Sequence, residues 1–158
     1  MTIYTLEQQQ FLPISLDQAW EFFSNPHNLK DITPPSMDFR VISETGYETY
    51  AGLIIQYTVK PMFGIPVRWV TEITHVRAPH FFVDEQRFGP YTFWHHQHLF
   101  RAVPGGVEMK DIVSYALPFG PLGRLVRELI VKRQLERIFG YRRSVLEKRF
   151  PGDAAGLY

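Results

Sequence analysis

Hydrophobic and polar residues alternate with a period of two through the middle of the chain, which is typical of strands with one buried face. A first strand is predicted over residues 3–12 and ends at Pro13. Proline, glycine and polar turns divide the middle region into six further segments. These predicted strands cover residues 37–43, 52–61, 67–77, 81–88, 91–103 and 107–117.

Helical spacing appears in two other regions. Ser15 is a good N-cap for a helix over residues 16–24, and a second short helix is predicted over 27–32. After Pro121 the period changes to that of a long helix ending near Phe150. Its predicted apolar face consists of Leu122, Leu125, Val126, Leu129, Leu135, Phe139, Leu146 and Phe150.

The predicted element order is one strand, two helices, six strands and a long helix. Strands twist, so an antiparallel sheet of about seven strands curls, and one helix can cover its apolar face. The sequence therefore predicts an α+β helix-grip fold with a cavity between the sheet and the C-terminal helix. Residues 1–150 are interpreted as a single ligand-binding domain and residues 151–158 as a short tail.

The composition of the chain excludes several classes of function. The 158 residues carry a formal net charge of +1, which provides no overall field for binding nucleic acid. The chain contains no cysteine, so disulfides, thiolate nucleophiles and cysteine-ligated zinc are excluded. No signal-peptide pattern or membrane-spanning apolar run is present, and we expect a cytoplasmic protein. Oligomeric state stays open.

The predicted C-terminal helix is strongly basic. Residues 121–150 contain nine Lys or Arg and three Asp or Glu, whereas the preceding chain is mildly acidic. Such a helix over residues 122–150 could make transient contact with an anionic membrane. The commoner interpretation is a solvated outer face, with some arginines such as Arg142 turned inward to pair with a buried acid.

Strand parity brings together a set of polar side chains. Trp94, His96, His98 and Phe100 share one face of their strand, and we expect this face to point inward. If a two-residue loop joins this strand to the next, Asp111 lies beside or diagonal to His98. His96, His98 and Asp111 are thus candidate general acid–base residues, although a buried hydrogen-bonded network is the simpler interpretation.

We expect no bound metal and no other cofactor. The His96-x-His98 pattern places two imidazoles on one face and Asp111 could add an oxygen, but this set lacks the further ligands of strand-borne His-x-His metal sites. A catalytic metal site needs at least three well-placed protein ligands.

Aromatic residues make up 15% of the chain, more than a small core requires, which favours a lined pocket. Asp84 and Gln86 share a strand face and could contact the head group of a ligand. The residues predicted to bind the ligand are Tyr57, Trp69, Asp84, Gln86, Trp94, His96, His98, Phe100, Asp111 and Tyr115.

Two stretches carry a family resemblance. One runs from Phe82 to Tyr91 and continues through the Trp94 to Phe100 face, and the other runs from Asp111 to Pro118. With these stretches the chain resembles the START-like superfamily, also called SRPBCC, and most closely its small uncharacterised bacterial members. The superfamily contains polyketide cyclases, lipid-transfer domains and carriers of aromatic ligands, so the resemblance implies the helix-grip fold but no particular activity.

The leading functional hypothesis is a non-catalytic carrier or sensor that binds a small hydrophobic or amphipathic molecule, or a lipid. One alternative is a cofactor-independent enzyme of cyclase, dehydratase or hydrolase type that uses His96, His98 and Asp111. A second is a lipid-handling or quinone-handling protein that docks on a membrane through the basic helix. No nucleic-acid partner is expected.

Overall fold

The computed structural model describes residues 1–152, so most of the predicted tail lies outside the described residues. Seven strands form one antiparallel sheet in the order β1-β7-β6-β5-β4-β3-β2. The strands are β1 (Tyr4–Leu12), β2 (Arg40–Val41), β3 (Ile54–Val59), β4 (Val67–Arg77), β5 (Phe81–Phe88), β6 (Phe93–Val103) and β7 (Gly106–Ala116). Together with the C-terminal helix they form the predicted helix-grip fold.

The helices follow the predicted order. Ser15 caps α1 through a capping box, in which its hydroxyl accepts from the Gln18 amide at 3.1 Å and the Gln18 side chain accepts from the Ser15 amide at 2.9 Å. The helices are α1 (Leu16–Phe23), short 3₁₀ helices at Pro26–Lys30 and Pro35–Met37, α2 (Gly120–Val126), a π-helical turn (Arg127–Val131) and α3 (Lys132–Arg149). No helix in the described part of the chain combines the length and apolarity needed to cross a bilayer.

The β6–β7 hairpin determines which residues face the interior. Pro104 and Gly105 form its two-residue loop, and Gly105 has a φ of +83°, which glycine adopts without strain. Gly106 lies just before the strand predicted over 107–117 but is the first residue of β7. A Cβ atom on Gly106 would lie 2.2 Å from the carbonyl oxygen of Leu12, so β1 can approach this corner only because the residue is glycine.

The strands predicted over 37–43, 52–61 and 91–103 are shorter in the structure. The strand expected over 37–43 contracts to Arg40–Val41, because the preceding prolines start a 3₁₀ helix and Asp38 adopts a left-handed φ of +44°. The strand expected from Tyr91 begins at Phe93 instead. There the Gln86 side chain donates to the Tyr91 carbonyl at 2.7 Å and accepts from its amide at 3.2 Å, so side-chain bonds replace strand pairing.

The C-terminal helix is not packed along its whole length as predicted. Leu122, Leu125 and Leu129 are largely exposed, whereas Leu135 and Leu146 are buried. The π-helical turn lies between the two halves and changes the residue spacing, so the apolar stripes of the two halves do not continue one another.

One buried apolar cluster lies at the α1 end of the sheet. Leu12, Phe22, Phe82, Phe100 and Leu146 pack together there, each at most 7% exposed. The β4–β5 pairing contains two irregularities, between Val70 and Thr71 and between Ile73 and His75, which bend the sheet. Phe22 and Phe82 of this cluster also border an interior space that side chains leave unfilled.

Candidate functional site

A cavity of about 580 Å³ lies between the concave face of the sheet and the C-terminal helix. Its apolar lining includes Phe22, Ile55, Tyr57, Val59, Trp69, Ile73, Phe82, Trp94, Leu135, Ile138 and Phe139. Phe119 and Leu122 also line the cavity and are 78% and 61% exposed, so the cavity opens to solvent beside them.

Aromatic rings from three strands and one loop form a continuous wall. Tyr57 on β3 is paired with Trp69 on β4, and their rings stack with centroids 5.9 Å apart. The Trp69 ring meets Trp94 edge-on at 5.2 Å, and Tyr91 lies 4.8 Å from Trp94. Burial raises the pKa of both Tyr57 and Tyr91, so their hydroxyls stay neutral.

The polar end of the cavity is built on three neighbouring strands. Asp84 on β5 lies directly opposite His96 on β6, and Asp111 on β7 lies directly opposite His98. Asp84 is therefore diagonal to His98, and Asp111 is diagonal to His96. The predicted proximity of Asp111 to His98 and the inward orientation of His96, His98 and Phe100 are confirmed.

The two imidazoles bridge the two carboxylates. His96 Nε2 lies 2.9 Å from Asp111 Oδ1, and His96 Nδ1 lies 3.3 Å from Asp84 Oδ2. His98 Nε2 lies 2.7 Å from Asp84 Oδ2, and His98 Nδ1 lies 3.1 Å from Asp111 Oδ1. The rings stand 3.8 Å apart between centroids, and Phe82 stacks on the outer side of His98 at 4.1 Å.

A helix residue and an indole complete the network. Arg142 on α3 reaches inward and donates to Asp111 Oδ1 at 3.2 Å, with both side chains at least 91% buried. Trp94 Nε1 donates to Asp84 Oδ1 at 3.3 Å. The suggestion that Arg142 pairs with an interior acid is confirmed. The Arg142–Asp111 ion pair anchors the basic C-terminal helix to the sheet.

Electrostatics in this network follow from burial and proximity. Burial alone would raise the pKa of Asp84 and Asp111. The adjacent imidazoles nevertheless hold the pKa of Asp84 below its usual range. Arg142 and the same imidazoles hold the pKa of Asp111 below its usual range. Burial alone would lower the pKa of His96, but the two carboxylates raise it to about 9.

The structure divides the predicted ligand-binding residues into two groups. Six line the cavity: Tyr57, Trp69, Asp84, Trp94, His96 and His98. The other four do not. Gln86 holds the turn before β6, Phe100 packs in the core at the α1 end, Asp111 lies behind the imidazoles, and Tyr115 accepts a hydrogen bond from Arg127 at 3.4 Å.

Sequence reasoning missed two features of the site. It grouped Asp84 with Gln86 and not with the histidines, because it did not align β5 with β6 residue by residue. The Gly89-Pro90 turn between them offered a signal, since a hairpin places their inward residues side by side. It also missed Phe139, whose ring meets His96 edge-on at 5.9 Å.

No protein-family model and no curated protein matches the sequence. Solved structures match its fold over nearly their full length. Protein Ms6760 from Mycobacterium smegmatis is 17% identical, covering 94% of this chain and 98% of its own, with a TM-score of 0.65.

Two further structures show the same fold. Ara h 8.0201 is 15% identical, covering 93% of this chain and 99% of its own, with a TM-score of 0.64. A Thalictrum flavum norcoclaurine synthase mutant in complex with a transition-state analogue is 16% identical, covering 94% of this chain and 96% of its own, also at 0.64. The chain therefore has a START-like (Bet v 1-like) fold.

Proposed function

We propose that the protein binds a small hydrophobic or amphipathic molecule in this cavity, as a carrier or sensor. The observation that carries the proposal is an interior space of about 580 Å³ with an aromatic and aliphatic lining and Asp84, His96 and His98 at one wall. Ligand sites in proteins have volumes of roughly 300–1,000 Å³ and combine apolar walls with a few placed polar groups.

The arrangement of the lining favours one orientation of the ligand. An apolar body would contact the aromatic wall of Tyr57, Trp69 and Trp94, while a polar head group would reach the imidazoles and Asp84. Thr71 and Tyr57 add hydroxyls that lie 3.3 Å from each other and also line the cavity. Such polar groups fix the orientation of a ligand, while the apolar contacts supply most of the affinity.

The test is a binding screen with cis-parinaric acid and 1-anilinonaphthalene-8-sulfonate, followed by displacement with fatty acids, quinones and polycyclic aromatics. We expect saturable binding to the wild-type protein and about tenfold weaker binding to Trp94→Ala and His98→Ala. Circular dichroism should show that both variants stay folded.

The matched control is Phe93→Ala. Phe93 is the preceding residue on β6 and stacks with His95 instead of lining the cavity, so this variant should bind the probes like the wild type. The proposal fails if no apolar probe binds the wild-type protein, or if Phe93→Ala loses as much affinity as Trp94→Ala.

A second candidate is an enzyme that transfers protons. It is favoured by imidazoles that face the cavity while carboxylates orient them, and by the presence of a norcoclaurine synthase among proteins of this fold. His96 or His98 would contact the substrate, and Asp111 would act through them because it does not line the cavity. Turnover that is abolished in His98→Ala with binding retained would favour this candidate.

If the ligand is a lipid, the protein would contact a membrane through the start of its C-terminal helix. Leu122, Leu125 and Leu129 expose apolar side chains near the mouth of the cavity, and Arg124 and Arg133 are exposed on the same basic segment. Sedimentation with phosphatidylserine vesicles should then exceed sedimentation with phosphatidylcholine vesicles and fall in Leu125→Ser. Equal sedimentation with both lipids would contradict this version.

A further inference from the structure

The two imidazoles and two carboxylates contain more contacts than neutral rings can satisfy. Four nitrogen–oxygen distances of 2.7 to 3.3 Å join His96 and His98 to Asp84 and Asp111. A neutral imidazole has one N–H, and an ionised carboxylate only accepts. Two neutral rings therefore supply two N–H groups for four contacts. Arg142 offsets the charge of Asp111, so neutral rings leave the charge of Asp84 without a cation in this cluster.

Asp111 faces one nitrogen of each ring. Its Oδ1 lies 2.9 Å from His96 Nε2, 3.1 Å from His98 Nδ1 and 3.2 Å from Arg142 Nη1, and its side chain is 2% exposed. His96 Nε2 is hydrogen-bonded to Asp111 Oδ1, whereas His98 Nε2 is hydrogen-bonded to Asp84 Oδ2. The second nitrogen of His96, Nδ1, lies on the Asp84 side of the ring, as does His98 Nε2.

These two ring nitrogens both face Asp84. Asp84 Oδ2 lies 3.3 Å from His96 Nδ1 and 2.7 Å from His98 Nε2, and ligand atoms of the three residues all lie within 4.8 Å of one another. Neighbouring ligand atoms on one metal ion, each bonded at about 2.0–2.2 Å, stand roughly 3 Å apart. The three residues can therefore each offer one ligand atom to a single ion.

We propose that Asp84, His96 and His98 bind one divalent transition-metal ion, Zn²⁺ or Fe²⁺, at the wall of the cavity. A dication bound between Asp84 Oδ2 and the two ring nitrogens would supply positive charge at the side of the cluster that faces away from Arg142. Two imidazoles and one carboxylate suit Zn²⁺ and Fe²⁺, and such a set leaves further coordination positions free. All three residues line the cavity, so those positions face a bound molecule.

Asp111 and Arg142 would support the imidazole ligands without contacting the ion. Imidazoles that bind a metal generally donate their other N–H to a carboxylate, which fixes the ring orientation. Here Asp111 Oδ1 is hydrogen-bonded to His96 Nε2 and lies 3.1 Å from His98 Nδ1, and Arg142 balances its charge from α3. The expectation of no metal rested on the incomplete ligand set around His96 and His98, in which Asp111 was the candidate oxygen ligand. The structure places Asp111 behind the rings and Asp84 in front of them.

The test uses tag-free protein stripped with a chelator and titrated with Zn²⁺ by calorimetry and with Co²⁺ by visible absorption. We expect saturable one-to-one binding of both ions, and Co²⁺ bands in the visible region that report nitrogen and oxygen ligands. Asp84→Asn and His98→Ala should each weaken binding at least about 100-fold, and Asp111→Asn about 10- to 100-fold.

The matched control is His95→Gln. His95 lies on the same strand with its side chain on the opposite face, where it pairs with Glu85 at 2.8 Å, so this variant should bind as the wild type does. Imidazole ¹⁵N spectra provide a second measurement that does not depend on variants, because Zn²⁺ should shift the ring signals of His96 and His98 and spare those of His95.

The proposal is overturned if neither ion binds at one equivalent, if Asp84→Asn and His95→Gln bind alike, or if the ring signals of His96 and His98 do not respond. The further N–H donor would then come from a protonated His96, whose pKa the neighbouring carboxylates raise to about 9. Binding of apolar probes by the stripped protein is a separate result, so the metal site and the ligand-binding function can fail independently.

Discussion

Asp84 and Asp111 contact the same two imidazoles from opposite sides, yet they lie in different surroundings. The Asp111 side chain is 2% exposed, is held by Arg142 and does not line the cavity. The Asp84 side chain is 16% exposed, lines the cavity and accepts a hydrogen bond from Trp94 Nε1. The comparison separates a carboxylate that organises the interior from one that can reach a bound molecule.

The largest expected effect is that of Asp111→Ala. Its removal leaves the buried Arg142 guanidinium without its partner and both ring nitrogens without an acceptor, which should lower the free energy of unfolding by about 3–5 kcal/mol. Asp84→Ala should lower the free energy of unfolding by only about 1 kcal/mol, since the Asp84 side chain faces the cavity. Urea denaturation measures both, and equal losses would contradict the comparison.

Removing the other half of the buried ion pair should have a somewhat smaller effect. Arg142→Met leaves Asp111 with the two imidazoles as donors and should cost about 3 kcal/mol. The double variant Asp111→Leu/Arg142→Met should lose less than the sum of the single changes, with a coupling of roughly 0.5–3 kcal/mol. Strict additivity in a double-mutant cycle would show that the two side chains act separately.

On the cavity side, Trp94→Phe keeps an aromatic ring and removes the N–H that Asp84 Oδ1 accepts. We expect a loss of about 1 kcal/mol in the free energy of unfolding. Trp69→Phe is the matched control, because Trp69 Nε1 is buried and has no hydrogen-bond partner in the described part of the chain. It should be neutral or slightly stabilising, and thermal melts that show equal losses would refute the role of the Trp94 bond.

The smallest effect should come from the outer face of the same strand. His95 and Glu85 pair at 2.8 Å with side chains 28% and 26% exposed, so solvent screens the interaction. His95→Gln should change the free energy of unfolding by less than about 0.5 kcal/mol. A loss comparable to that of Asp84→Ala would mean that burial does not distinguish the two faces.

The sequence predicted those parts of the site that depend on local pattern. Period-two alternation placed His96 and His98 on the inward face, and an assumed two-residue loop placed Asp111 beside or diagonal to His98. The structure pairs the two residues directly. The sequence did not predict Asp84 as their neighbour, since that pairing depends on a four-residue connection between β5 and β6 whose geometry Gln86 holds by side-chain bonds. It also overestimated the packing of Leu122, Leu125 and Leu129, because a π-helical turn is not visible in the apolar spacing.

The sequence by itself determined the order of the elements, the faces of the strands and the class of the fold, because alternation, caps and turn residues act over a few neighbouring positions. Only the tertiary structure decided that Asp84 and Asp111 flank one pair of imidazoles and that Arg142 reaches Asp111 across 31 residues of chain. It also decided that the interior keeps a cavity. These features depend on how strongly the sheet curls and how closely the helix approaches it, and such long-range distances are the result of packing the whole chain.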